Sequence, residues 1–481
     1  MEKHVDLLKG PVLSSLTKLA IPIMATSLIQ MAYNLTDMIW IGRIGSDAVA
    51  AVGAAGMYMW LSNGLAALAK MGGQVNAGYA LGSERKKEAS LYAANALQLS
   101  IILGLIYGLI CAGFNAPLIG FFKLNSPQVI SDARIYLVIT CGFVIFSFLN
   151  QTFTGIFTAI GNSRAAFLAT TAGLLVNIVL DPILIFGIGP FPKLNVTGAA
   201  IATVLAQAIV TIMFICFAMK DSLIFQDIHI FKKPKADYIR SIIHIGLPTS
   251  IQNMLFTGIS MVLARFVASY GDAAVAVQKV GSQIESISWM TADGFAAAVN
   301  SFIAQNHGAG NKVRIRKGYS CAMGIVLIWG VICTLLLMLC PAPVFRIFIT
   351  EPEILPMGID YLVILGVSQL FMSVEITTAG AFSGYGKTLP PSVNSIIFTV
   401  LRIPLALLLI RTDLGLNGIW WSITISSILK GIVIFTLFFI FLRKRGLLMW
   451  TNNSVFYQIY PIGFCGAPTH NDDICASRIE N

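Results

Sequence analysis

The chain has 481 residues, of which 56% are hydrophobic and only 11% are charged. Soluble domains carry about 25% charged residues, so this composition excludes a soluble globular protein and predicts an all-α polytopic membrane protein. The net charge of +10 does not indicate nucleic-acid binding, because the basic residues lie in short loops between apolar runs. The eight cysteines lack the spacing of metal ligands or of a disulfide framework.

Apolar runs of about 20 residues or more mark membrane-spanning helices. We predict twelve, at about residues 15–41, 47–80, 90–114, 132–158, 163–187, 197–219, 240–269, 273–305, 318–340, 357–383, 391–411 and 416–442. The basic residues are concentrated in segments on the side of the N-terminus, for example Arg85, Lys86 and Lys87. The positive-inside rule therefore places both termini in the cytoplasm, and we expect the bacterial cytoplasmic (inner) membrane.

Short motifs recur in the two halves of the chain at a nearly constant spacing. Leu19-Ala-Ile-Pro22 matches Ile245-Gly-Leu-Pro248, and Gly155-Ile-Phe-Thr-Ala-Ile-Gly161 matches Gly380-Ala-Phe-Ser-Gly-Tyr-Gly386. Each half has six predicted helices, so a pseudo-two-fold axis along the membrane normal should relate them, with a substrate cavity between the repeats. We predict an N-lobe at 1–219, a cytoplasmic linker at 220–239, a C-lobe at 240–443 and a cytoplasmic tail at 444–481.

The fifth predicted helix contains a carboxylate. Asn177 and Asp181 are four residues apart and share one helix face, and Pro182 leaves a backbone carbonyl without its usual partner. A carboxylate inside the membrane costs about 2.5–3.5 kcal/mol on insertion scales, so we interpret it as an ion or proton site. The alternative is a structural Asp that Asn177 and the freed backbone groups satisfy. The repeat aligns these two residues with Arg402 and Ala406, so this chemistry belongs to the N-terminal half.

The first predicted helix has a polar stripe. Gln30, Asn34 and Asp37 lie at helical spacing on one face, which should contact protein or water rather than lipid. The stripe could hold helices together, or Asp37 could form a second carboxylate beside Asp181. Two nearby carboxylates repel each other and favour protonation of one of them, as proton coupling requires. Na⁺ binding at Asp37, Asn177 and Asp181 is the other possibility.

Further intramembrane polar residues are candidates for the same transport pathway. Thr203 in the sixth helix could bond its own helix backbone, or its hydroxyl could complete the ion site. In the C-terminal half, Glu375 lies well inside the tenth predicted span and is the strongest candidate, followed by Glu285 and Asp293 in the eighth. Arg402 could pair with Glu375.

Several of these motifs together resemble one family. They are Tyr33-Asn-Leu-Thr-Asp37, Asn177-Ile-Val-Leu-Asp181-Pro182, Gly198-Ala-Ala-Ile-Ala-Thr203, Gly380-Ala-Phe-Ser-Gly-Tyr-Gly-Lys-Thr388 and Arg402-Ile-Pro-Leu. From about Leu16 to Arg445 the chain resembles the multidrug and toxic compound extrusion (MATE) transporters, and it is most similar to the prokaryotic subgroup with paired N-lobe aspartates.

The resemblance implies twelve helices in two six-helix lobes, and export of amphipathic or cationic compounds driven by H⁺ or Na⁺. It implies that Asp37, Asn177, Asp181 and Thr203 form the coupling site, and that protonation there bends the first helix and expels the substrate. We also expect no cofactor, no enzymatic activity and a monomer. Some relatives have acids in the seventh and tenth helices for a C-lobe cation site; here the seventh offers Gln252 instead.

The tail differs from that family. Trp450-Thr-Asn-Asn-Ser-Val-Phe-Tyr-Gln-Ile-Tyr-Pro461 resembles the opening strand of α-amylase-type glycosidases. Such a (β/α)₈ barrel needs about 250 residues, so no glycosidase activity follows, and we interpret the tail as a fused or truncated reading frame or as a plain cytosolic tail. A flippase for lipid-linked glycan precursors is the alternative function. Those proteins have a cationic cavity, whereas the cavity candidates here are acidic.

Overall fold

The computed structural model describes residues 4–122, 124, 126–188, 192–228, 232–347 and 351–444. Every regular element within these ranges is a helix, which confirms the predicted all-α class. Met1–Phe438 forms one compact unit. The described part of the second unit, residues 439–444, is the end of the last helix. The glycosidase-like motif and the rest of the tail lie outside the described residues.

The same order of helices occurs in both halves of the chain. The first half contains α1 (Val12–Gly42), α2 (Ser46–Gly82), α3 (Lys86–Gly113), α4 (Asn115–Gly120), α5 (Pro127–Gly142), α6 (Ile145–Ala159), α7 (Ser163–Phe186) and α8 (Asn195–Met219). A short 3₁₀ helix, Phe225–Asp227, follows. The second half contains α9 (Ala236–Ala268), α10 (Asp272–Gly308), α11 (Lys312–Leu339), α12 (Pro341–Arg346), α13 (Leu355–Gly366), α14 (Gln369–Gly384), α15 (Leu389–Ile410) and α16 (Leu416–Lys444).

Twelve segments of these described helices account for the predicted spans. Eight helices are long and apolar enough to cross a membrane, and the number rises to ten if each of the bent pairs α5–α6 and α13–α14 is counted as one span. The 37-residue helices α2 and α10 are the remaining two segments. They are less apolar because they contain many small and polar residues, and such helices are buried among others rather than facing lipid.

Two predicted helices are wrong as single rods. The span predicted at 132–158 is bent by 43° between α5 and α6, and the span predicted at 357–383 is bent by 46° between α13 and α14. Both bends directly follow a glycine, Gly142 and Gly366, and glycine is a poor helix former with a flexible backbone. The apolar run continues through both bends, so hydropathy does not reveal them.

The structure repeats in local detail as well as in order. The pairs α2 and α10, α3 and α11, and α4 and α12 have 37, 28 and 6 residues respectively. Gly45 and Gly271 precede α2 and α10 with φ values of 141° and 103°, in the left-handed region that favours glycine. Both halves therefore have the same turn at the same place.

The two halves contact each other mainly through α1, α2, α9 and α10. α2 packs against α9 and α10, and α1 packs against α10. A Cβ atom added to Gly82 would lie 1.8 Å from the Gln305 carbonyl oxygen, and one added to Gly246 would lie 2.0 Å from that of Leu68. The backbones approach so closely that only glycine fits at these two positions.

Candidate ion and substrate site

Three helices of the first half place the predicted N-lobe residues together. α7 packs against both α1 and α8. Asp37 belongs to α1, Asn177 and Asp181 belong to α7, and Thr203 belongs to α8. Because one helix face of α7 holds residues four apart, Asn177 and Asp181 are presented side by side.

Asn177 and Asp181 form a direct hydrogen bond in the protein interior. The Asn177 Nδ2 amide donates to Asp181 Oδ1 across 3.1 Å, and both residues are fully buried, at 0% exposure. This bond satisfies one of the two carboxylate oxygens. The structural alternative considered from the sequence, an Asp fully satisfied by its neighbours, would require a partner for the other oxygen as well.

The remaining oxygen atoms of the cluster lack partners within the described part of the chain. Asp181 Oδ2, Asn177 Oδ1 and Asp37 Oδ1 are buried without a hydrogen bond. The Thr203 hydroxyl is also buried and lies next to the Tyr33 hydroxyl. The Thr203 hydroxyl does not bond its own helix backbone, which was the structural alternative predicted from the sequence. Buried polar atoms are nearly always paired, so several unpaired oxygens in one place mark a candidate binding site.

Two tyrosines that were not among the predicted site residues also belong to this cluster. Tyr33 and Tyr136 both lie within electrostatic range of Asp37 and Asp181, and both lie near the Thr203 hydroxyl. Tyr33 precedes Asp37 by four residues, which is one helical turn, so its position gave a usable signal. Tyr136 is on α5, and nothing in its local sequence distinguishes it from an ordinary buried aromatic residue.

Chemically, the cluster attracts protons and cations. Asp37 and Asp181 are close enough to interact with each other, and two carboxylates in a low-dielectric interior repel strongly unless a proton or cation neutralises one of them. Carboxylate, amide and hydroxyl oxygens are hard ligands that suit hard cations. Among the described residues, no three His, Cys, Asp or Glu side chains form a group that could hold a metal ion.

Gln30, which was also predicted on α1, is exposed and is not brought into this buried group. The side chain of Asn34 lies outside what the structure describes. Their part in binding stays a prediction.

Glu375 belongs to a separate cluster in the second half. Its Oε2 lies 3.4 Å from the Lys430 Nζ, and both side chains are buried. Arg402, which the sequence offered as a partner for Glu375, instead donates to the hydroxyls of Ser426 and Ser427 at 2.8 and 3.1 Å. Glu375 is thus already paired with a cation of the protein, and a role in ion or substrate binding stays a prediction.

The duplicated helical fold and the buried carboxylates define the class of this protein as a polytopic membrane transporter. The chain belongs to the MATE transporter family, because the family model described as MatE matches residues 22–183 and 248–408. These ranges include the first-helix stripe, the Asn177–Asp181 pair and Arg402.

Curated relatives and solved structures cover nearly the whole helical part. The chain is 30% identical over 414 residues to the probable multidrug resistance protein NorM of Thermotoga maritima, which covers 84% of this chain and 87% of that protein. It is 25% identical to the FAD transporter of Shewanella oneidensis, over 91% of this chain and 96% of that one.

A structural comparison confirms the fold. A solved outward-facing multidrug resistance MATE family transporter of the MOP superfamily matches with a TM-score of 0.84 and 26% identity, covering 93% of this chain and 99% of that chain. The predicted fold, twelve transmembrane helices in two six-helix lobes, is confirmed by this likeness.

Proposed function

We propose that the protein is a secondary active antiporter that exports amphipathic or cationic drugs and toxic metabolites in exchange for inward H⁺ or Na⁺. The observation that carries this proposal is the group of unpartnered buried oxygens at Asp37, Asn177 and Asp181, beside the Thr203 hydroxyl. The relatives named as multidrug resistance proteins support the substrate class. An acidic interior site favours cations over anions by simple charge complementarity.

In the proposed cycle, Asp37 and Asp181 alternate between the coupling ion and the substrate. When both carboxylates are ionised, their repulsion and their exclusion from water make them bind a cation. A proton or Na⁺ arriving from outside neutralises one of the two carboxylates, which weakens the attraction for a cationic substrate and favours its release. Asn177 holds Asp181 in place through its hydrogen bond, and Thr203 contributes a neutral oxygen. Alternating access then exposes the site to the other side.

The N-lobe at 1–219, the linker at 220–239 and the C-lobe at 240–443 remain our proposal for the domain boundaries, with both termini in the cytoplasm of a bacterial inner-membrane protein. We further propose that the transporter acts as a monomer, since the cluster draws all its residues from one chain.

Transport into proteoliposomes tests the proposal. Ethidium or norfloxacin movement is measured first under an imposed pH gradient and then under a Na⁺ gradient. We expect transport under at least one gradient, and we expect Asp181→Asn and Asp37→Asn each to reduce it at least about 100-fold, because removing groups that act as a unit abolishes the process. Asp47→Asn is the matched control, since Asp47 is exposed at the start of α2.

If Asp181→Asn is present in the membrane at the normal amount and still transports, Asp181 does not belong to the coupling site. The same vesicles are assayed for efflux of FAD, because one relative carries that name, and for movement of a lipid-linked glycan precursor. Transport of the glycan precursor without drug transport would favour the flippase alternative.

A further inference from the structure

The chain before the first helix forms a strap. We use this name for residues 4–11, which lie between the start of the described chain and α1. Although mostly irregular, the strap is anchored firmly: Leu7 is only 1% exposed. Within the strap, the Asp6 carboxylate accepts hydrogen bonds from the backbone amides of Leu8 and Lys9 at 2.9 and 3.0 Å. The strap is therefore an ordered element, and hydropathy does not predict it because it is short and polar.

The beginning of the strap is bound to the first half. The Val5 amide donates to the Gly161 carbonyl at 3.0 Å, in the turn between α6 and α7. The His4 imidazole lies with Nε2 2.9 Å from Asp221 Oδ2, just after α8, and with Nδ1 3.3 Å from the Ile160 carbonyl oxygen. A Cβ atom at Gly161 would lie 2.5 Å from the Val5 carbonyl oxygen, so the strap lies directly against this turn.

The end of the strap is bound to the second half. The Arg314 guanidinium on α11 donates to three strap carbonyls: Nε to Leu7 at 3.0 Å, Nη1 to Gly10 at 2.7 Å and Nη2 to Lys9 at 2.8 Å. The Asn306 amide on α10 also donates to the Leu7 carbonyl at 2.9 Å. Charge-assisted bonds of this kind are shorter and stronger than neutral ones.

Direct bonds between the halves lie at the same end of the helices. Gln305 Nε2 donates to the Ala159 carbonyl at 2.6 Å, and the Ser83 hydroxyl donates to the Gly308 carbonyl at 3.0 Å. Nearer the middle, Gln74 donates to the fully buried Ser301 hydroxyl at 3.0 Å. A passage opening between the halves at this end has to break these contacts, and it also has to release the strap from one half.

We infer that the strap is a latch: it holds the two halves together on the side of the transporter where the N-terminus lies, and so keeps the passage closed on that side. Arg314 is the residue that binds the strap to the second half. This inference rests on the alternating access of the proposed function. Because one side chain of the second half holds three carbonyls of a segment anchored on the first half, Arg314 sets how often the seal opens. The latch adds to the bonds between helices without touching the ion site.

Thiol labelling tests the latch. Ser301→Cys is introduced into a chain whose eight cysteines are replaced, and a membrane-impermeant thiol reagent is applied to vesicles of either orientation. We expect Arg314→Gln to raise the labelling rate at Cys-substituted Ser301 at least about tenfold from the N-terminal side, since it removes three charge-assisted bonds. Arg314→Lys keeps the charge without the planar fork and should give an intermediate rate.

Arg316→Gln is the matched control, because it removes the same charge from an exposed position on the same helix and should leave the rate unchanged. Equal rates in Arg314→Gln and the parent would overturn the latch. If Arg314→Gln does not reach the membrane, Leu7→Ala replaces it: this variant keeps the carbonyls that Arg314 binds but removes the buried side chain that anchors the strap, and it should also raise the labelling rate. Labelling reports opening whether or not a drug moves, so the latch and the proposed antiport can fail separately.

Discussion

The matching helices α7 and α15 show that a duplicated scaffold can have two different interiors. α7 has Asp181 where α15 has Ala406, and the partner position to Asn177 holds Arg402. The Asp181 Oδ2 atom is buried without a partner. The Arg402 guanidinium, in contrast, donates to two serine hydroxyls on α16. One helix keeps an acceptor unsatisfied, while its counterpart has donors that the protein itself satisfies.

Glu375 of the second half differs in the same way from the acids of the first-half cluster. In the second half, Glu375 is paired with Lys430 at 3.4 Å. Glu285 has one unpartnered oxygen, Oε1, and its other oxygen lies 3.5 Å from the Gln369 amide. An acid beside a cation of the protein is already neutralised, whereas the acids of the proposed ion site in the first half have no such cation beside them. The comparison teaches that partners, rather than the presence of acids, distinguish an ion site from a structural pair.

The largest expected effect on stability tests the structural side of this comparison. Lys430→Met leaves Glu375 buried without its cation, and we expect the free energy of unfolding to fall by about 3–5 kcal/mol. Thermal or denaturant unfolding in detergent measures it. The double variant Lys430→Met with Glu375→Gln should recover most of the loss, and Lys317→Met, at an exposed position, should cost little. An unchanged stability in Lys430→Met would contradict the pairing.

The corresponding change in the first half should have the opposite sign. Asp181→Asn removes a buried charge whose second oxygen has no partner, and the new amide oxygen can still accept from Asn177. We expect the free energy of unfolding to stay equal or to rise by up to about 2 kcal/mol, in the same detergent assay, while transport is lost. A clear destabilisation would show that Asp181 is a structural residue and would remove the contrast with Glu375.

The smallest expected effect concerns an acid of the first half that does have partners, outside the membrane. Burial raises the pKa of the Asp221 carboxyl, but hydrogen bonds from His4 and from the backbone amides of Leu223 and Ile224 outweigh burial and hold the pKa below its ordinary value. Because the pKa is lower in the folded chain, the carboxylate stabilises the fold above the unfolded value of about 4. That contribution is lost as the pH falls through the lowered folded value.

Asp221→Asn should therefore lower the free energy of unfolding by about 1 kcal/mol at pH 7, and the difference from the parent should shrink towards pH 3. Asp237→Asn, at an exposed position, is the control. If the difference in the free energy of unfolding between Asp221→Asn and the parent grows as the pH falls, the pKa of Asp221 is not lowered by folding.

Much of the fold follows from local features of the sequence. The twelve spans are predictable because each apolar run is long enough for a bilayer, and the repeat is predictable because proline and glycine punctuate both halves at the same places. The bends after Gly142 and Gly366 are not predictable from hydropathy, because α5 and α6, like α13 and α14, are apolar on both sides of the break. The strap was missed because Arg314 holds it through backbone carbonyls, and a pattern of side chains does not reveal such bonds.

The candidate site also has features that the sequence predicts and features that it does not. The sequence by itself determined that Asn177 and Asp181 share a helix face and that Asp37 and Glu375 lie within apolar spans, because helical periodicity and the cost of burying charge are local properties. Only the tertiary structure decided that Lys430, rather than Arg402, pairs with Glu375, and that Tyr136 of α5 joins the N-half cluster. Those outcomes depend on which helices pack together, and packing brings side chains from distant parts of the chain into contact.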